Sequence, residues 1–353
     1  MRIAARSPTV CGLMHELISH LTAQEELSTV HVEQAVTHLL SDEITDESKA
    51  AFLLALRAKG ETAAEIAAFV QALLRRAIDP GLDAAQLPGP MIDVCGTGGD
   101  KMELFNISTA SMFVLAAGGA IVVKHGNRAI TSQCGGADVL EALGVRIDLA
   151  PADLKRCVES LGLGFVFAPS YHPAFKTIAP VRRQLAAQGI PTIFNMLGPL
   201  LNPARPAFQM VGVFSSALLG KYAHSLSALG RKRAWALNGD GTDELTITGP
   251  SDVHEVTEGA LREFVVSPAE LGINPCELAE LRGGDKTTNA AILVGILDGT
   301  ERGAKSDIVA LNAAAGFVIT GLVPDLGSGL AMARERIANG SALARLRALQ
   351  QFA

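Results

Sequence analysis

Residues 95–109 read CGTGGDKMELFNIST, with Gly96, Gly98 and Gly99 in four positions around Thr97, a carboxylate, Asp100, directly after them, and Asn106, Ser108 and Thr109 close behind. Glycine lets backbone approach a ligand closely, and free N–H groups at a helix start attract anions. Phosphate is the ligand chemistry this stretch suggests first. Asp100 would repel a bare phosphate; it fits a ligand that also presents hydroxyls, as a ribose does, or one that brings a metal. The spacing is that of neither standard nucleotide loop: there is no G-x-x-x-x-G-K, and Lys101 stands where the third glycine of a dinucleotide turn belongs. Ser108 and Thr109 are able to cap the helix that follows, and their hydroxyls to reach phosphate oxygens or magnesium. A turn and a cap without any ligand is the plainer alternative.

Three further stretches carry chemistry. KHGNR, residues 124–128, follows an apolar run, AIVV. At a strand's carboxyl end Lys124 would neutralise phosphate and Asn127 would read a polar group. His125 is either an acid/base or a packed, orienting histidine. DGTDEL, residues 240–245, sets Asp243 beside Glu244. Adjacent carboxylates in a loop suit magnesium, a hard cation that prefers oxygen, although acid pairs are also ordinary at surface turns. HPAFKTIAPVRR brings His172, Lys176, Arg182 and Arg183 into one region. In a helix Lys176 and Arg183 share a face, whereas Arg182 points elsewhere and could clamp a carboxylate bidentately.

These groups need a scaffold. With 353 residues the chain is too long for one small core, and two domains are expected. Hydrophobic residues at 48% and charged residues at 19% exclude a disordered chain. Residues 1–85 read as a helical domain. Leu13, Met14, Leu17, Ile18 and Leu21 recur at helical spacing, as do Ala35, Val36, Leu39 and Leu40, and Thr62 with Glu65 forms a capping box. A Pro/Gly-rich stretch at 79–90 marks a boundary. Beyond it MIDV, AIVV, GFVFA, QMVGVF and RAWAL alternate with helical stretches, so the rest, 90–171 and 201–353, is expected to be an α/β domain with a mostly parallel sheet flanked by helices. A helical segment near 172–200 is expected to return to the small all-helical domain.

The net charge of −6 disfavours duplex nucleic acid as a partner. The five cysteines, Cys11, Cys95, Cys134, Cys157 and Cys276, are scattered without a C-x-x-C, as expected of reduced thiols in a cytoplasmic protein. No signal peptide or membrane span is evident.

In this order GTGGD, FNIST, KHGNR, ADVLEALG, HPAFKTIAPVR, FNMLGPLLNP, DGTDE and LRGGDKTTNAAI resemble the anthranilate phosphoribosyltransferases, from about residue 12 to the C-terminus. The resemblance implies a homodimer formed through the helical domain and an active site at the hinge. It implies transfer of the 5-phosphoribosyl group of phosphoribosyl pyrophosphate (PRPP) to the amine of anthranilate, with Mg2+. Gly96, Thr97, Gly98, Gly99, Asp100, Asn106, Ser108, Thr109 and Lys124 would hold PRPP; Ser108, Asp243 and Glu244 would hold the metal. Gly96, Asn127, His172 and Arg182 would line the anthranilate route. Two positions depart from the pattern: Leu104 stands where threonine is usual, and CGGAD, with Gly136, stands where Ser-Gly-Ser-Ala-Asp is common. A pyrimidine nucleoside phosphorylase and a non-catalytic nucleic-acid-binding relative are alternatives of the same fold.

Overall fold

The computed structural model describes residues 10–98, 102–129 and 133–352. The chain forms two units, one of residues up to 77 with 172–201, the other of residues 78–171 with 202–353.

The first unit is helical. Helices Val10–Thr22, Thr29–Leu39, Asp46–Lys59 and Ala63–Leu74 are joined by the later helix Phe175–Ala187. Their spacing puts Met14, Leu17, Leu21, Val36, Leu39, Phe52, Leu56, Phe69 and Val70 in one core. The Thr62–Glu65 capping box is present. Glu65 does more than cap: Oε1 accepts the Leu27 N–H, and Oε2 accepts both the Thr62 N–H and Lys59 Nζ, each at 2.8 Å. Burial works to raise the Glu65 carboxyl, but these donors outweigh it and its pKa is lowered.

The second unit is built on one sheet. Its strands are β1 (Met91–Gly96), β2 (Ile121–Gly126), β3 (Leu163–Phe167), β4 (Phe208–Gly212), β5 (Arg233–Gly239), β6 (Ser251–Thr257) and β7 (Ala260–Val266), in the order β3-β2-β1-β4-β5-β6-β7. Pairing is parallel from β3 to β5 and antiparallel for β6 and β7. The sheet is therefore mostly parallel, as the alternation of apolar runs and helices implies. The β6–β7 hairpin was not among the expected strands. Its Glu258-Gly259 turn has φ values of 49° and 86°, a pair that matches the twist of a two-residue hairpin. Helices Ile107–Ala117 and Ala304–Thr320 pack on each other and on β1, and Leu219–Ala228 packs on β5 and β6. The Pro/Gly stretch at 79–90 lies in this second unit.

The sheet order has one consequence for function. From β1 the chain winds outward through β2 and β3, then returns to place β4 on the other side of β1. Strand order reverses between β1 and β4, and in open α/β sheets ligands bind in the crevice outside the carboxyl ends at such a switch point.

Candidate active site

Both strands at the switch point end in glycine, Gly96 on β1 and Gly212 on β4, paired in register. Asp243 lies across them. A Cβ at Gly96 would stand 2.1 Å from Asp243 Oδ2, and one at Gly212 would stand 1.5 Å from the Asp243 carbonyl oxygen. Only glycine admits the acid loop here. Gly98, at φ 65°, donates its N–H to Asp243 Oδ2 at 2.7 Å. The Thr97 N–H bonds Gly212 O, and Thr97 Oγ1 accepts the Phe214 N–H at 3.1 Å. The glycine turn and the acid pair thus meet, although 145 residues separate Gly98 from Asp243. Gly99 and Asp100 lie outside the described residues.

Glu244 reaches the next helix. Its Oε1 accepts the Ser108 N–H at 3.1 Å, at the start of Ile107–Ala117, where a carboxylate also meets the positive end of the helix dipole. The expected caps are replaced by this arrangement. Asn106 occupies the N-cap position, and its own side chain makes no cap bond. Ser108 and Thr109 are already inside the helix, so their hydroxyls are placed too late to close its first turn. The Ser108 Oγ instead receives Lys124 Nζ at 3.0 Å, and Lys124 also donates to Val94 O.

Lys124 and His125 belong to β2 rather than following it, since the ladder continues past the apolar run to Gly126. Lys124 is 4% exposed, and its amine reaches Ser108 from within the sheet. The backbone N–H of His125 bonds the buried Asp93 Oδ1 at 3.1 Å. Asp93 Oδ2 accepts from Asn202 Nδ2 at 3.0 Å, which also donates to Val123 O. Burial pushes the Asp93 carboxyl up to about 6, against the pull of Lys124, Asn202, the His125 N–H and Arg231. Asp93 and Asn202 went unnoticed in the sequence because each is one polar residue inside an apolar run. So did Asn312, wholly buried in the helix Ala304–Thr320, whose carboxamide takes the N–H of Leu245 at 3.0 Å and donates to its carbonyl at 2.8 Å. Thr242 Oγ1 latches the same loop to Gly239 O.

The remaining predicted residues divide between the units. Asn127 is exposed just beyond β2, and its Oδ1 accepts the Arg128 N–H. In the helical unit His172 is 4% exposed, with Nε2 2.9 Å from Leu201 O and its ring stacked on Phe175. Burial lowers the His172 pKa, against the Leu201 carbonyl. Phe175 meets Phe194 edge-on, and Arg182 lies over the Phe194 ring at 5.0 Å. Burial also lowers the Arg182 pKa. Arg183 is exposed.

The two departures have local explanations. Leu104 forms an isolated bridge with Arg282 and packs against the core. At Gly136 a Cβ would stand 3.3 Å from Thr109 Oγ1, so the Thr109 hydroxyl already occupies the neighbourhood of the missing serine.

The donor set suits magnesium. Asp243, Glu244 and Ser108 offer only oxygen, and among the described residues no three His, Cys, Asp or Glu side chains converge into a closed cage. Mg2+ characteristically takes one or two carboxylates and leaves its other positions to water and phosphate.

The profile of a glycosyl transferase family α/β domain matches residues 88–343, and that of the family's helical bundle domain matches residues 15–77. An anthranilate phosphoribosyltransferase of Chloroflexus aggregans is 45% identical over 335 residues, 94% of this chain and 96% of that protein. The crystal structure of the Thermus thermophilus anthranilate phosphoribosyltransferase superposes with a TM-score of 0.88 at 39% identity, covering 95% of this chain and 98% of that one. The Saccharomyces cerevisiae enzyme in complex with PRPP and Mg superposes at 0.85 with 26% identity, over 95% and 96% of the two chains. With its helical bundle, its α/β domain and 45% identity over 94% of its length to the Chloroflexus aggregans protein, the chain belongs to the anthranilate phosphoribosyltransferase family.

Proposed function

We infer that the protein transfers the 5-phosphoribosyl group of PRPP to the amine of anthranilate, giving N-(5-phosphoribosyl)anthranilate and pyrophosphate, in tryptophan biosynthesis. The observation that carries this inference is the meeting of Asp243 and Glu244 with the Gly98 and Ser108 N–H groups beside Lys124, at the switch point of the sheet.

Each group has a task. The N–H groups of Gly98 and of the first helical turn receive phosphate oxygens. Lys124 places a donor against the same helix start, and Asn106 and Thr109 flank it. Asp243, Glu244 and Ser108 are the residues that would hold Mg2+. When bound, the metal spreads the charge of pyrophosphate and makes it a better leaving group. Departure of pyrophosphate leaves an oxocarbenium-like ribose, which the nearby carboxylates tolerate. In the helical unit His172 and Arg182 are assigned to anthranilate, with the planar Arg182 fork matched to its carboxylate. The aromatic amine attacks with its own lone pair, so no general base is assigned. Catalysis is then positioning and electrostatics. The protein is proposed to act in the cytoplasm as a homodimer through the helical unit, where Val30 and Leu54 are exposed.

Incubation with PRPP, anthranilate and Mg2+ should consume anthranilate fluorescence. Absence of turnover at every magnesium concentration, or phosphorolysis of uridine or thymidine in its place, would overturn the assignment.

A further inference from the structure

A relay of two carboxamides runs behind the phosphate-binding helix start. At one end the backbone N–H of Gly284 donates to Asn289 Oδ1 at 2.8 Å. A backbone donor settles which end of that carboxamide is oxygen. The nitrogen end of Asn289 therefore faces Asn106, where Nδ2 donates to Oδ1 at 3.0 Å. At the far end Asn106 Nδ2 donates to the carbonyl of Cys134 at 3.1 Å. A backbone acceptor settles that end too, so the polarity of the relay is the same read from either side.

Two consequences follow for Asn106. Its oxygen is engaged by Asn289, and one of its two amide hydrogens by Cys134 O. The hydrogen that remains makes it a donor, the character an anionic ligand requires; a reversed amide would offer an oxygen and repel one. The second consequence concerns the helix. Asparagine at an N-cap ordinarily bonds the first-turn N–H groups, yet this side chain makes no capping bond. Drawn aside by Asn289, it leaves those N–H groups to Glu244 and to incoming phosphate. Asn289 is itself 1% exposed and acts only through its neighbour. Gly283 makes room for it, since a Cβ there would stand 2.5 Å from Asn289 Oδ1.

We propose that Asn289, on the helix Lys286–Leu297, is a positioning residue for PRPP that holds Asn106 as a hydrogen-bond donor and away from the helix cap. The proposal rests on PRPP being the substrate and on Asn106 touching it.

The test is a double-mutant cycle on steady-state kinetics. Asn289→Asp keeps the shape and still accepts from Gly284, but sets an oxygen against Asn106 Oδ1. It should raise KM for PRPP by roughly tenfold, the size of one lost hydrogen bond to a charged group, with KM for anthranilate nearly unchanged. Asn106→Ala should do the same, and the double variant should be no worse than Asn106→Ala alone. If Asn289→Asp fails to fold, Asn289→Ala takes its place, read by calorimetric binding of pyrophosphate with Mg2+. An unchanged KM for PRPP in both Asn289 variants, or defects that multiply in the double variant, overturns the proposal. So does an Asn106→Ala enzyme with normal PRPP kinetics. A wild-type protein without PRPP turnover strikes instead at the proposed function.

Discussion

Asp243 Oδ2 lies 2.7 Å from the backbone nitrogen of Gly98, and the neighbouring Glu244 Oε1 lies 3.1 Å from that of Ser108. The two acids thus sit on N–H groups that a phosphate would use. In this state they oppose a bare anion twice, by charge and by occupying its donors; a divalent cation turns the same carboxylates into ligands.

Metal-free pyrophosphate should therefore bind the wild type poorly, and Asp243→Asn should bind it more tightly, by about tenfold for one relieved charged contact. In the presence of Mg2+ the ranking should reverse, and turnover of Asp243→Asn should fall at least 10- to 100-fold, roughly the loss seen even for outer-shell metal partners. Calorimetric titration with and without Mg2+ checks the first claim. Equal metal-free affinity in the two proteins would contradict it.

Gly212 lies outside the motifs that announce the site. Gly212→Ala forces the Asp243 backbone to move, because its Cβ would meet the carbonyl oxygen at 1.5 Å. Gly316→Ala is a fair comparison, since the three atoms nearest its Cβ would all belong to the Leu115 side chain, the closest at 2.6 Å. Both should lose about 1–3 kcal/mol of stability by overpacking. PRPP binding should weaken in Gly212→Ala alone; equal PRPP affinity in the two variants would refute this.

Asp93 supplies a pH dependence whose sign is unusual for a carboxylate. Its folded pKa of about 6 lies above its ordinary value of 3.8, so the neutral acid is favoured by folding. The associated stability is fully present below pH 3.8 and is lost as pH rises through about 6. Measured by urea unfolding between pH 4 and 7, the stability of wild type relative to Asp93→Asn should fall with rising pH, by a few kcal/mol at most. A difference that stays flat across that range would refute it.

Glu65 behaves in the opposite sense. Its pKa is lowered, so its contribution is present above the ordinary value of 4.5 and is lost as pH falls through the lower folded value. Glu65→Gln leaves the Lys59 amine, whose side chain is 5% exposed, without its carboxylate. The cost should be about 3–5 kcal/mol, as for other broken buried pairs, with PRPP kinetics per folded molecule unchanged. A melting temperature within a degree or two of wild type would show that the pair matters little.

Much of the candidate site was legible in that Gly98, Lys124, Asp243 and Glu244, which the fold brings to one place, sit in short, unusual strings: GTGGD, KHGNR and TDE. What was not legible depends on distant segments meeting. Gly212 is one glycine in an apolar run until Asp243 arrives over it. Asn312 and Asn289 are single amides in helices, and nothing local separates them from surface residues. Lys124 was expected after its strand because the apolar run stops at Val123, yet the ladder continues through Lys124 and His125, paired with Phe165 and Val166. The caps were misplaced for a related reason. Ser108 is a good capping residue in isolation, but Glu244, 136 residues away, takes its N–H. The hairpin of β6 and β7 did leave a local trace, the β-branched Val253, Val256 and Thr257 followed by the turn pair Glu258-Gly259.

Asn312 binds both backbone groups of Leu245, the residue next to Glu244. The acid pair is therefore bolted to a helix buried from Ile308 to Thr320, and the loop that carries it has little play of its own. Repacking around the wholly buried Asn312 would shift the carboxylates as a rigid piece, so core substitutions near it should surface as changes in magnesium requirement before the domain loosens.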